Sequence, residues 1–208
     1  MRNDLLSIRR TDAWRILFVP GALVLMGTPA FAHTTPGQAH GFATGFLHPL
    51  SGLDHVLAMV AVGIWGAQLK QPAIWVLPVA FPLVMSFGGL LGIRGVPIPG
   101  VEIGVAASAV ALGIVIALEL RPPLWVTAAV VSVFAIFHGH AHGTELPKAA
   151  APLTFALGFV LATGLLHMCG VLIGLVDLWP AGGKVLRIAG GFISVIGVFL
   201  LFGVVTHR

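Results

Sequence analysis

The chain has 208 residues, 58% of them hydrophobic and only 9% charged, with a mean hydropathy of +1.03. A soluble domain would carry about a quarter of its residues as charges, so this composition excludes one and indicates a polytopic protein of the lipid bilayer. The formal charge of +4 is no nucleic-acid signal, because Arg2, Arg9, Arg10 and Arg15 gather at the N-terminus and serve targeting. The single Cys169 excludes a disulfide framework and a cysteine-cluster metal site. Gly182-Gly183-Lys184 lacks the spacing of a phosphate-binding loop, so no ATP hydrolysis is expected.

Residues 1–32 read as a signal peptide. A basic region ends at Arg15, a short apolar run covers 16–26, and Ala30-Phe31-Ala32 forms a small-x-small cleavage site. The competing reading is an uncleaved anchor helix, against which stand the shortness of the run and its interruption by Pro20-Gly21. Cleavage after Ala32 would make His33 the N-terminus, where its amine and imidazole could chelate a metal together. A polar lead with His33 and His40 then opens the mature domain, 33–208.

Six apolar segments follow, over 42–69, 73–93, 98–119, 123–143, 150–177 and 182–205. Each is near or above the ~20 residues that cross a bilayer. Very short connections join them, so the expected fold is all-α, a bundle of six transmembrane helices with no soluble domain. A cleaved signal leaves the mature N-terminus outside, and six spans return the C-terminus to the same side. Lys70, Arg121, Lys184 and Arg187 then lie inside and Arg94, Lys148 and Arg208 outside, a slight bias in the usual direction. Trp65, Trp75, Trp125 and Trp179 lie near segment ends, as an interfacial belt requires. Nothing in this composition prevents assembly as a homo-oligomer.

The first segment carries His48-Pro49-Leu50-Ser51-Gly52-Leu53-Asp54-His55. Ionisable groups are costly in a membrane and usually mark a pathway or a site. Pro49 removes a backbone donor, and Gly45 and Gly52 permit another backbone to approach. Imidazole with carboxylate suits a borderline divalent metal such as nickel, cobalt or zinc. The bland alternative is a pair of core histidines satisfied by carbonyls. Glu102, one turn into the third segment, either snorkels to the surface or faces a site; its depth, matching His48 and the end of the fourth segment, favours the site.

That fourth segment closes on Phe137-His138-Gly139-His140-Ala141-His142-Gly143-Thr144-Glu145. At about 100° per residue, His138, His142 and Glu145 share a face and His140 points away. The alternative is a solvated, histidine-rich helix end. In the fifth segment Ala162-Thr163-Gly164-Leu165-Leu166-His167 echoes Ala43-Thr44-Gly45-Phe46-Leu47-His48 of the first, by an old duplication or by chance, which makes His167 a further candidate ligand. Glu119 and Asp177 lie near inner helix ends beside Arg121 and Lys184 and read as surface groups.

At these motifs the sequence resembles the HupE/UreJ family of nickel/cobalt permeases. The family pattern H-P-x-x-G-x-D-H stands as residues 48–55, and F-H-G-x-A-H-G-x-E as residues 137–145. The third-span glutamate of the family looks like Glu102, and Phe81 resembles a further position, on the pathway. The resemblance implies import of Ni2+, with Co2+ as an alternative, across a bacterial inner membrane to supply a hydrogenase or urease. It implies no enzymatic activity, and it implies as metal ligands His48, Asp54, His55, Glu102, His138, His142 and Glu145. The alternative from another class is a haem-binding membrane redox protein, since paired intramembrane histidines can be axial ligands; the acids of the set have no use there.

Overall fold

The computed structural model describes residues 41–145 and 152–206. The expected signal peptide, 1–32, with His33 and His40, lies outside the described residues, as does Lys148. The chain forms α1 (Phe42–Ser51), α2 (Leu53–Leu69), α3 (Ala73–Ile93), α4 (Val101–Ala117), α5 (Leu124–Glu145), α6 (Pro152–Gly174), a 3-10 turn (Leu175–Leu178) and α7 (Gly182–Thr206). Among the described residues there is no strand.

The first apolar segment is not one helix. It breaks at Gly52 into α1 and α2, which meet at 86°. Pro49 has no N–H to give to the preceding turn, and Gly52 adopts an extended backbone, φ −101° and ψ 116°. The Ser51 hydroxyl donates to the His48 carbonyl at 2.6 Å, satisfying one group that the end of α1 leaves free. A Cβ on Gly52 would fall 2.8 Å from Asp54 Oδ1 and 2.9 Å from His55 Nδ1. The corner is therefore occupied by the Asp54–His55 pair rather than by another backbone, a correction to the role expected of Gly52.

The third segment also shortens, from the expected 98–119 to the 17 residues of α4. Gly100, at φ 71°, turns the chain into the helix. Helices α3, α5 and α7, and α6 with its 3-10 turn, are long and apolar enough to cross a membrane, and the bent α1–α2 pair makes a fifth crossing if counted as one.

Lipid supplies no hydrophobic force between helices, so association depends on close packing at small residues. Helices α3 and α5 meet backbone to backbone: a Cβ on Gly139 would strike the Met85 carbonyl, and one on Gly143 the Gly89 carbonyl. Helices α2 and α6 do the same, with Gly63 against the His167 carbonyl and Gly170 against that of Val60. Met59, Trp65, Leu77, Phe81, Leu112 and Ile116 fill the core, while Leu83, Phe192, Phe199 and Phe202 are exposed. Trp65 is not part of an interfacial belt. It is buried, and its indole N–H donates to the Leu120 carbonyl at 3.0 Å, beyond the end of α4. Trp75, Trp125 and Trp179 are exposed, as a belt requires.

The two echoing hexapeptides differ in their surroundings. A Cβ on Gly45 would meet the Phe155 backbone, whereas one on Gly164 has nothing within 4 Å. Gly45→Ala is expected to destabilise the purified protein by about 1–3 kcal/mol, the usual cost of overpacking. Gly164→Ala should match or slightly exceed the parent, since alanine is the better helix former. Thermal unfolding of both variants in one detergent checks this.

Candidate metal centre

The last two turns of α5 carry the histidines as the periodicity predicts. His138 and His142 face inward with Glu145 beyond them. His140 turns the other way, and its Nε2–H donates to the Val96 carbonyl, in the connection between α3 and α4, at 2.7 Å. The stripe meets the corner between α1 and α2. His48 Nε2 lies 2.9 Å from His142 Nδ1 and 3.4 Å from Glu145 Oε2. One potential ligand atom from each of His48, His142 and Glu145 falls within 4.8 Å of the others. The Glu145 side chain is 61% exposed and that of His48 27%, so this trio forms a mouth.

Past the mouth the rings continue. His55 lies 4.2 Å from His142 and 4.8 Å from His138, centroid to centroid. His142 joins the two groups, with Nδ1 toward His48 and Nε2 buried on the other side of its ring. Phe155 and Phe159 of α6 wall the mouth, at 5.6 Å from His48 and 4.5 Å from His142. Sequence reasoning missed both, although their one-turn spacing on a single face of α6 is a readable signal.

The protonation of these rings follows from their partners. His55 Nδ1–H donates to Asp54 Oδ1 at 2.7 Å, and the same oxygen accepts the His55 backbone N–H at 2.9 Å. His138 Nδ1–H donates to the Phe134 carbonyl at 2.9 Å. Both acceptors carry no proton of their own, so each ring is pinned as the Nδ1–H tautomer and directs a bare Nε2 lone pair elsewhere. Those Nε2 atoms and that of His142 are buried without a hydrogen-bond partner. Leaving one buried polar group unmatched costs about 1–3 kcal/mol, and native interiors match nearly all of them. Three neighbouring rings thus each keep a nitrogen with no partner among the described residues. An imidazole tied through one nitrogen to a carboxylate or carbonyl, with the other free, is the usual posture of a metal-binding histidine. His48, His142 and Glu145 can hold a borderline cation, and His55 and His138 form a second tier of rings behind them, with Asp54 orienting His55.

The structure brings His48, Asp54, His55, His138, His142 and Glu145 together. It leaves Glu102 apart: the side chain is exposed on the first turn of α4 and has no hydrogen-bond or ion-pair partner among the described residues. Shared depth placed it with the cluster in the sequence reading; its direction around the helix axis does not. Phe81 is fully buried on α3, its ring 5.6 Å from His138 and 5.1 Å from His167. Glu119 and Asp177 converge near Gly183, 3.0 Å and 3.5 Å from where its Cβ would stand, and neither pairs with Arg121 or Lys184.

Apolar helices of membrane-spanning length, closed around clustered imidazoles with carboxylates beside them, define a helical membrane protein with a cation-type donor set. The chain belongs to the HupE / UreJ protein family, whose pattern matches residues 21–200. It is 43% identical over 182 residues to Protein HupE of Rhizobium leguminosarum bv. viciae, covering 87% of this chain and 95% of that one. No solved structure matches. Members of the family are transport and accessory proteins, not enzymes.

The geometry separates three chemically identical histidines. His138→Ala and His142→Ala should each weaken Ni2+ binding by the purified protein by at least about 10–100-fold, the scale of losing even a group that only supports a metal ligand. His140→Ala should stay within a few-fold in affinity while lowering the melting temperature, because the Val96 carbonyl loses its donor. Calorimetric titration with Ni2+, paired with thermal unfolding, tests both; equal loss of affinity in all three variants would contradict the assignment.

Proposed function

We propose that the protein is an ATP-independent importer of Ni2+, with Co2+ accepted by the same ligands, in a bacterial inner membrane. One observation carries this reading: His48, His142 and Glu145 each bring a ligand atom within 4.8 Å of the others at the mouth, and the rings directly behind, His55 and His138, keep buried, unpartnered Nε2 atoms. Neutral nitrogen with carboxylate oxygen suits nickel and cobalt equally. The bent α1–α2 pair and the short α4 supply the fifth and sixth crossings in this reading, which puts the mouth and both mature termini on the periplasmic side. The cargo would serve a metalloenzyme of the hydrogenase or urease kind, in line with family membership.

The haem reading finds no support. Axial histidines must stand on opposite sides of a flat macrocycle, and rings whose centroids are 4.2–4.8 Å apart leave no slot between them.

Without a nucleotide site, the driving force has to be electrical or chemical. A divalent cation moving inward gains roughly 4.6 kcal/mol per 100 mV, twice the ~2.3 kcal/mol of a single charge. In proteoliposomes holding the purified protein, radiolabelled Ni2+ should accumulate when an inside-negative potential is imposed. With equal nickel on both sides, accumulation that is indifferent to collapse of the potential would overturn the proposal.

A further inference from the structure

Two buried imidazoles stand outside the mouth and the tier behind it: His140, which faces away and is tied to the Val96 carbonyl, and His167. His167 on α6 is fully buried, and so is Thr163 one turn before it. His167 Nδ1–H donates to the Thr163 carbonyl at 2.8 Å, so this ring is pinned as the same tautomer as His55 and His138, with its Nε2 lone pair free. That Nε2 has no partner, and neither has the Thr163 hydroxyl. A threonine inside a helix ordinarily turns its hydroxyl back onto a carbonyl of the preceding turn, and Thr163 does not. Two orphaned polar atoms therefore stand one turn apart on one face of α6.

We propose that His167 Nε2 and Thr163 Oγ1 form a second, deeper station for the cation, reached from His138 past the ring of Phe81. The proposal rests on the transport reading above and adds to it a place where the ion next resides. Phe81 stands between the two, in ring contact with His138 on one side and His167 on the other. An aromatic face within about 6 Å attracts a cation without binding it tightly, which suits a step between two ligand sets. The depth is consistent. Phe159 of α6 faces His142 at the mouth, and His167 lies 8 residues beyond Phe159, about 12 Å along α6 at 1.5 Å per residue. His138 lies 4 residues before His142, about 6 Å from the same level. The backbone is held there too, since Gly63 of α2 packs on the His167 carbonyl and Gly170 on that of Val60. The ring is thus fixed in place by helix contact, like those of the cluster.

Two weak ligands are fewer than a resting site needs. An onward station should hold its ion loosely, because an ion that binds too well does not leave.

The test uses the whole protein in proteoliposomes and nanodiscs, with Cys169→Ala as the background so that no native thiol competes. In that background His167→Ala should lower the rate of Ni2+ uptake at least ~10-fold, the lower range for losing a metal-site contact. Its Co2+ affinity, set by the outer tiers, should stay within twofold. His167→Cys should regain part of the uptake. Loaded with Co2+, it should also show a sulfur-to-cobalt charge-transfer band that the background lacks, since a thiol that meets the metal is deprotonated and ligates it. Uptake by His167→Ala at the background rate would make the residue an ordinary core histidine. Joint loss of uptake and Co2+ affinity would make it a structural support of the cluster, and absence of the band would mean that the ion does not reach this depth. Each of these results overturns the station and leaves the transport reading standing. A background protein that neither binds Co2+ nor takes up Ni2+ would instead remove the transport reading, and the station with it.

Discussion

An imidazole has two nitrogens, and in a medium without water both must be accounted for. The site depends on how this protein resolves that constraint. Each of His55, His138 and His167 commits Nδ1 to an acceptor that cannot share a proton, two of them on their own helix one turn back. The ring's tautomer and orientation are then no longer free variables. What remains is a directed lone pair, held at fixed depth by a helix whose backbone cannot slide. The same hydrogen bond that would make these residues ordinary core histidines is what leaves each with a nitrogen to offer.

Fixed lone pairs are of use only if the helices carrying them are aligned. Side chains between α3 and α5 would hold the two axes apart, whereas Gly139 and Gly143 bring them to backbone contact. That contact sets the position of the His138–His142 stripe. The corner at Gly52 supplies the complementary half. A straight continuation of α1 into α2 would carry His48 and His55 along one axis; the 86° break points both at α5. Precision here comes from small residues and from one bend, not from the bulk of the hydrophobic core.

Much of this was legible in the sequence because ionisable residues stand out against an apolar background. The stripe of His138, His142 and Glu145, and the exclusion of His140, followed from helical periodicity alone. The contact of His48 with His142 did not, because it spans two elements and depends on a bend that Pro49 and Gly52 permit but do not orient. Glu102 shows the limit of reasoning by depth: residues at one level of a bundle can face in any direction, and only packing decides which. Trp65 shows a similar limit, since its place near a segment end matched a surface belt while its indole was needed inside, on the carbonyl of Leu120. For Phe81 the resemblance pointed to the position, and only the flanking rings of His138 and His167 supplied a physical reason for it.

The break at Gly52 has an electrostatic consequence. It creates two new helix ends in the middle of the apolar region, and each end carries about half an elementary charge, negative at the C-terminus and positive at the N-terminus. The end of α1 at Ser51, close to His48, and the end of α5 at Glu145 both present their negative poles at the mouth. The start of α2 presents the opposite pole, beside His55. Asp54 sits in the first turn of that helix and accepts the His55 backbone N–H, one of the donors from which the positive pole arises. One carboxylate thus orients an imidazole and opposes the positive pole that the bend would otherwise set beside the histidine cluster.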